Sequence, residues 1–248
     1  MKNVRNYLIT GAHSHLGKGL VSFFAQQKGV RMLLTSRTPT SANDEKDSQN
    51  IRHLEGIDLL KESNLKTLAQ EAERFFPGKF HVINCAGAYW DHKGFSEASL
   101  AQNRQAFEGN AQTILGVAHC LIPLMCKRGG GYFVGFSCNS VLHNYPNMLA
   151  FTASKMALES LIRSLANEYG GKGLVANCFE LATILTGREK GLKPFGDHQN
   201  WLLPEEVARV VYAMTTGPFS IVNGNAIKLY HYSPSFFTKG YLERIRRK

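Results

Sequence analysis

Short apolar runs rich in β-branched residues alternate with amphipathic helical stretches along the whole chain, and this alternation leaves few folds open. Tyr7–Thr10, Arg31–Ser36, Ile51–Gly56, Phe80–Asn84, Tyr132–Ser137, Leu174–Phe179 and Ala226–Tyr230 read as strands. Leu16–Lys28, Glu62–Phe76, Leu100–Lys127, Ala150–Tyr169 and Pro204–Thr215 read as helices, and Pro77-Gly78, Gly129-Gly130-Gly131 and Gly170-Gly171 stop three of them. A strand that returns through a helix pairs in parallel with its predecessor. The expectation is an α/β fold, a Rossmann-type doubly wound parallel sheet. The 248 residues suffice for one full core, and no linker divides them, so a single domain over 1–248 is expected. Thr38–Asn50 reads as a polar, mobile loop.

Composition narrows the setting. Cys85, Cys120, Cys126, Cys138 and Cys178 are odd in number and follow no zinc or disulfide spacing, which points to a reducing, cytoplasmic location. Met1–Tyr7 is polar and lacks the apolar region of a signal peptide. No run reaches the ~20 apolar residues of a membrane span. Ile114–Met125 comes closest, and His119 and Pro123 interrupt it. The net charge is +10, with Lys239, Arg244, Arg246, Arg247 and Lys248 in a basic C-terminal tail over 233–248. Such a tail either attracts anionic partners or keeps the chain soluble. No nucleic-acid module is visible, so no nucleic-acid partner is expected.

The chemistry starts after the first strand, at Thr10-Gly11-Ala12-His13-Ser14-His15-Leu16-Gly17. A glycine turn feeding a helix N-terminus cradles a pyrophosphate with backbone N–H groups and the helix dipole, and also serves as a plain strand–helix turn. Arg37 ends the second strand, where an acid would bind the ribose diol of NAD and an arginine favours the 2′-phosphate of NADP. An ordinary surface arginine reads the same way. His13 is a second candidate for the phosphate.

Further on stand Asp58-Leu59, Asn84-Cys85-Ala86-Gly87, Phe107-Glu108-Gly109-Asn110, Val134-Gly135-Phe136-Ser137-Cys138, Phe151-Thr152-Ala153-Ser154-Lys155 and Thr186. In order and spacing these segments resemble the motifs of the short-chain dehydrogenases/reductases, and the likeness spans Tyr7 to about Tyr230. It implies an NADP(H) site built from Gly11, His13, His15, Leu16, Gly17, Arg37, Asp58, Asn84, Ala86, Gly87, Lys155 and Thr186. It implies an active site at Asn110, Cys138, Phe151 and Lys155. It also implies a small-molecule substrate or metabolite, a substrate lid at about 187–202, and a homodimer or homotetramer pairing through Leu100–Lys127 and Ala150–Tyr169.

The departures from the family pattern cluster at the chemistry. Phe151 stands where the family keeps its proton-donating tyrosine, and Cys138, thirteen residues earlier, stands where it keeps a serine. His15 replaces the middle glycine of the turn, where its Cβ would crowd the phosphates or redirect the loop. Leu181-Ala182 replaces a Pro-Gly turn. Two readings follow. One is a divergent NADP(H)-dependent reductase whose substrate needs no phenol: an iminium, a conjugated alkene, or a carbonyl served by a relocated acid among Ser140, His143 and Tyr145. The other is a catalytically inactive protein that binds NADP(H) or a metabolite as a sensor or assembly partner. Non-redox chemistry in the same pocket is a third. The lid cations Arg188, Lys190 and Lys193 suit an acidic substrate or an ordinary solvated loop.

Overall fold

Each strand follows its apolar run closely. The computed structural model describes residues 4–39, 45–90, 93–194 and 196–231. The strands are β1 (Arg5–Thr10), β2 (Val30–Thr35), β3 (Ile51–Leu54), β4 (Phe80–Asn84), β5 (Gly131–Cys138), β6 (Leu174–Leu181) and β7 (Ala226–Leu229). They form one parallel sheet in the order β3-β2-β1-β4-β5-β6-β7. The chain winds outward from β1 to β3, then returns to lay β4 on the other side of β1. The strand order reverses at that point, and the crevice above the carboxyl ends of β1 and β4 is where such sheets bind ligands.

Side chains of a strand alternate between faces, and the core splits accordingly. Tyr7 and Ile9 pack with Phe24 of α1 (His15–Ala25) and Val211 of α8 (Pro204–Thr216). Leu8, Phe80 and Phe133 pack on the opposite face, under α2 (Glu62–Phe75), α4 (Thr113–Lys127) and α6 (Leu149–Tyr169). With both faces covered, β1 and β4 are almost wholly buried, which is why they read as continuous apolar runs.

Three regions differ from the sequence expectation. The stretch Leu100–Lys127 is not a uniform helix: α3 (Leu100–Phe107) and α4 are joined by a π-helical turn, Glu108–Gln112. Leu100–Lys127 is long and apolar enough by length and composition to cross a bilayer, yet half of its most apolar window is buried inside this domain. Strand β6 runs two residues further than expected. In place of a Pro-Gly turn, the Leu181 carbonyl accepts from the Asn139 N–H at 3.0 Å and the Ala182 N–H donates to the Leu229 carbonyl at 3.1 Å. Two short helices, α5 (Ser140–His143) and α7 (Gly187–Leu192), form where loops were expected. In the polar stretch after β2, the Asp47 carboxylate accepts from the His53 N–H at 2.8 Å and so ties that part to β3. The basic tail, 233–248, lies outside the described residues.

Candidate functional site

The glycine turn is shaped by close packing. Gly11 has φ +62, and a Cβ on it would stand 2.7 Å from the Ala86 backbone nitrogen. Only glycine takes this conformation freely while letting the turn rest on the end of β4. A Cβ on Gly17 would meet the Gly11 carbonyl oxygen at 2.3 Å. Ser14 caps α1, its hydroxyl accepting from the Gly17 N–H at 3.0 Å. His15 is the first residue of α1 and is exposed. Leu16 packs against the core between α1 and α8.

Above the turn lies a cleft of about 580 Å³, lined by Gly11, His13, Arg37, Asp58, Ala86 and Gly87 among others. Ser14, the N-cap of α1, lines this cleft, and a helix N-terminus favours anions. His13 Nδ1 lies 3.2 Å from Thr38 Oγ1, and its ring packs against His53 with centroids 5.9 Å apart. Arg37 is exposed at the rim. The Asp58 carboxylate accepts from the Leu60 N–H at 3.1 Å. No carboxylate stands at the end of β2, where the residues are Thr35-Ser36-Arg37-Thr38. Sequence reasoning missed Ser14 and His53, although a serine three residues before a helical glycine is a recognisable cap.

Deeper in, polar side chains lock the floor of the crevice. Thr10 Oγ1 donates to Asn84 Oδ1 at 2.7 Å, and Asn84 Nδ2 donates to the Ala86 carbonyl at 3.3 Å. Asn110, wholly buried on the π-helical turn, accepts from the Ala88 N–H at 3.2 Å. Its amide donates to the Ala106 carbonyl at 2.9 Å and to Ser154 Oγ at 3.1 Å. The widened turn brings Asn110 between the β4 loop and α6; such turns recur at functional sites.

Lys155 of α6 is buried, and its Nζ donates to the Phe136 carbonyl at 2.9 Å. Burial pulls its ammonium down to about 8, against a smaller opposing effect of the Cys138 and Cys178 thiols. The same Nζ lies 5.4 Å from the centroid of the Phe151 ring, one turn earlier on α6. Cys138 ends β5, its thiol 3.5 Å from Asn139 Oδ1. Phe151 and Tyr145 pack against a small cluster of Trp90, Ala98, Ala106, Met148 and Ala150. Trp90 Nε1 donates to the Asn147 carbonyl, pinning the loop after β4 to the loop before α6. His143 stacks on Tyr145, with centroids 5.3 Å apart, and Ser140 is wholly buried.

Two groups stand out among the sequence-derived residues; His15, Leu16, Gly17, Asn84 and Thr186 belong to neither and are not among those that line the cleft. Gly11, His13, Arg37, Asp58, Ala86 and Gly87 line the cleft. Asn110, Cys138, Phe151 and Lys155 gather around the end of β5 and the start of α6, and do not line it. Thr186 caps α7, its hydroxyl accepting from the Glu189 N–H at 3.1 Å. Arg188 of α7 places its guanidinium 3.6 Å from the centroid of the Tyr89 ring at the cleft wall.

Behind Lys155 lies a feature the sequence reading passed over. Ser137 Oγ donates to the Glu159 carboxylate, and Glu180 stands beside Ser137 in the β5–β6 ladder. Both glutamates are buried, and Glu180 Oε2 has no hydrogen-bond partner among the described residues. Burial, then the nearby Glu159 carboxylate, raise the Glu180 carboxyl, with Lys228 and Arg163 opposing. An acidic residue inside an otherwise apolar strand was the available signal. Burial also pushes the Cys120 and Cys178 thiols up to about 12, which disfavours their thiolate forms.

With this geometry in place, the chain belongs to the short chain dehydrogenase family, whose pattern matches residues 5–195. Members of this family are oxidoreductases. A probable galactose dehydrogenase of Rhizobium meliloti (strain 1021) is 26% identical over 211 residues, covering 83% of this chain and 78% of the relative. A cyclohexanol dehydrogenase of Acinetobacter sp. (strain SE19) is 26% identical over 232 residues, covering 88% of this chain and 90% of the relative. Among solved structures, a short-chain type dehydrogenase/reductase from Mycobacterium ulcerans superposes with a TM-score of 0.78 at 22% identity, over 91% of this chain and 88% of that one. A 3-ketoacyl-(acyl-carrier-protein) reductase from Brucella melitensis, complexed with NADH, gives a TM-score of 0.78 at 16% identity, over 91% of this chain and 96% of that one.

Proposed function

We propose that the chain is a divergent NADP(H)-dependent oxidoreductase, a reductase acting on a small molecule that needs no phenolic acid. The observation that carries the reading is the contrast between its two groups of residues. The nucleotide cleft keeps its close-packed glycine turn, the α1 N-cap Ser14, the His13 imidazole and the Arg37 guanidinium, with no acid at the end of β2 to repel a 2′-phosphate. Those residues fit an adenine dinucleotide phosphate: Gly11 and the α1 N-terminus would hold the pyrophosphate, Arg37 and His13 the 2′-phosphate, Asp58 the adenine side and Lys155 the nicotinamide ribose. When bound, the cofactor supplies hydride.

At the other group a phenyl ring, not a phenol, lies beside Lys155. Phe151 has no proton to give, and the Cys138 thiol is a weak hydrogen-bond donor to a substrate oxygen. An iminium already carries the positive charge that hydride attack requires, and a conjugated alkene takes its proton from water afterwards. A carbonyl would need another acid, and Tyr145, packed in the same cluster as Phe151, is the nearest candidate by packing. Cytoplasmic location and assembly through the outer faces of α3, α4 and α6, which expose Leu100, Leu115, Leu149 and Met156, belong to the same proposal.

A second reading has its own observation. Trp90, buried and bound to the Asn147 carbonyl, holds the two loops that flank Phe151 together. Loops tied together in this way suit a protein that binds NADP(H) without turnover. Titrating the protein with NADPH and NADH by nicotinamide fluorescence, followed by a panel of imines, enones and ketones, separates the readings. NADPH binding with turnover of an imine or enone supports the reductase. NADPH binding with no turnover supports the silent binder, and no binding to either nucleotide removes both.

A further inference from the structure

The open cleft and the group around Lys155 are neighbours with a wall between them. Gly87, Ala88 and Trp90 line the cleft, whereas Cys138, Phe151 and Lys155 do not. Lys155 lies just behind this wall: a Cβ built on Gly87 would stand 3.8 Å from its Nζ. Trp90 belongs to both sides. It lines the cleft, and it also packs in the small cluster with Met148, Ala150 and Phe151. Ala98 and Ala106 share both settings but carry only methyl groups, so Trp90 is the large side chain that separates them. Its Nε1 donates to the Asn147 carbonyl in the loop before α6. Asn144 and Asn147 bend that loop with φ of 45 and 64, a left-handed conformation that asparagine enters more readily than most residues. Trp90 is buried whereas Asn147 is exposed, so water can replace the indole donor when the bond opens.

We propose that Trp90 is a latch on the nicotinamide end of the crevice: bound to Asn147 it bars the way from the cleft to Lys155 and Cys138, and the intact dinucleotide, but not its adenine half, releases it. The inference rests on the nucleotide-binding reading given above. A ligand shifts a conformational equilibrium only by its difference in affinity for the two states. Arg37 and Asp58, at the adenine end, line the cleft with the latch closed, so an adenine nucleotide alone gains nothing from release. The nicotinamide half reaches Lys155 only past Trp90, so it binds the released state alone. The cost of release then appears as a weaker apparent affinity for the whole dinucleotide. One neutral hydrogen bond and the unpacking of one ring make a hold that cofactor contacts outweigh.

The test compares NADPH with 2′,5′-ADP, which carries only the adenine half and its 2′-phosphate, on the full chain. The chain has two tryptophans, Trp90 and Trp201, so fluorotryptophan labelling gives two fluorine NMR lines, and Trp90→Phe assigns them. We expect saturating NADPH to move the Trp90 line and saturating 2′,5′-ADP to leave it in place. Titration calorimetry supplies the second readout. Trp90→Phe keeps an aromatic ring but has no N–H for Asn147, and should bind NADPH roughly three- to tenfold more tightly with its affinity for 2′,5′-ADP unchanged. A Trp90 line that stays put with NADPH bound overturns the latch and leaves the nucleotide site standing. An NADPH affinity that is unchanged or weaker in Trp90→Phe, or one that changes in step with that of 2′,5′-ADP, overturns it too. If neither ligand binds the unmodified protein or the variant, the nucleotide reading fails and the latch with it. Thermal melts show whether Trp90→Phe is folded, and Trp90→Leu gives the same comparison if it is not.

Discussion

The sharpest test of the active-site argument is to put the missing acid back. The double change Phe151→Tyr with Cys138→Ser restores a phenol beside Lys155 and a hydroxyl at the end of β5. Its size can be estimated from the site. The Lys155 Nζ lies 5.4 Å from the Phe151 ring centroid, and burial holds its ammonium at about 8. Below that value it carries its positive charge. A unit charge about 5 Å from a phenol oxygen, at an effective dielectric constant of ~20, is worth roughly 3 kcal/mol, enough to bring a phenol from ~10 to ~8. A positioned acid tuned that far typically contributes about 10²–10⁴ in rate. We therefore expect the double variant to reduce members of a ketone panel with NADPH roughly 10²–10⁴ times faster than the unmodified protein. The rate should fall as pH rises through about 8, because Lys155 then loses the charge that tunes the phenol. NADPH oxidation followed at 340 nm (about where the reduced nicotinamide absorbs) gives the readout. Two results would refute the reasoning. If the unmodified protein already reduces ketones at rates typical of its relatives, another acid is in place, and Tyr145→Phe should abolish that activity. If the double variant binds NADPH but gains nothing, residue 151 does not face the reacting carbon.

Three further outcomes follow from particular residues. Arg37→Asp should reverse or abolish the preference for NADPH, read as the ratio of NADPH to NADH dissociation constants; an unchanged ratio removes Arg37 from the 2′-phosphate site. Glu180→Gln should stabilise the fold, since a carboxyl raised by burial and by Glu159 favours its protonated form in the folded state. Folding then loses stability as pH rises through the window above the ~4.3 of an unfolded glutamate, so the variant's gain, roughly 1 kcal/mol or about 2–4 °C in Tm, should be present at pH 8 and fade toward pH 4. A gain that does not vary with pH would show that packing, not charge, is responsible. Light scattering at micromolar concentration should give a multiple of 27.6 kDa, and a monomer would remove the assembly through α3, α4 and α6.

Much of the fold could be read directly, for a physical reason. In the central strands of a sheet covered on both faces nearly every residue is buried, so strands such as Tyr7–Thr10 and Phe80–Asn84 announce themselves by hydrophobicity alone. Boundaries that depend on ladder partners were less visible. The end of β6 is fixed by the Leu229 carbonyl and by Asn139, residues distant in sequence, and no local propensity at Leu181 reveals them. The π-helical turn was hidden for a similar reason. Its register is set by Asn110 reaching the Ala88 N–H and Ser154, contacts that only the folded crossover supplies.

The site divides along the same line. Gly11 could be read because its positive φ and its contact with Ala86 permit no other residue. His53 and Glu180 could not, because their meaning comes from what lies across the sheet: His13 in one case, Ser137 and Glu159 in the other. This bears on how far the chain has diverged. Here Thr10 holds Asn84, Asn84 holds the Ala86 carbonyl and Asn110 holds the Ala88 N–H, by hydrogen bonds of 2.7–3.3 Å, while a cysteine and a phenylalanine stand at 138 and 151. Binding geometry kept and proton chemistry altered is the pattern expected when a cofactor is still held and the substrate's demand for an acid has changed, which is why restoring the acid and measuring the cofactor are the two experiments that matter most.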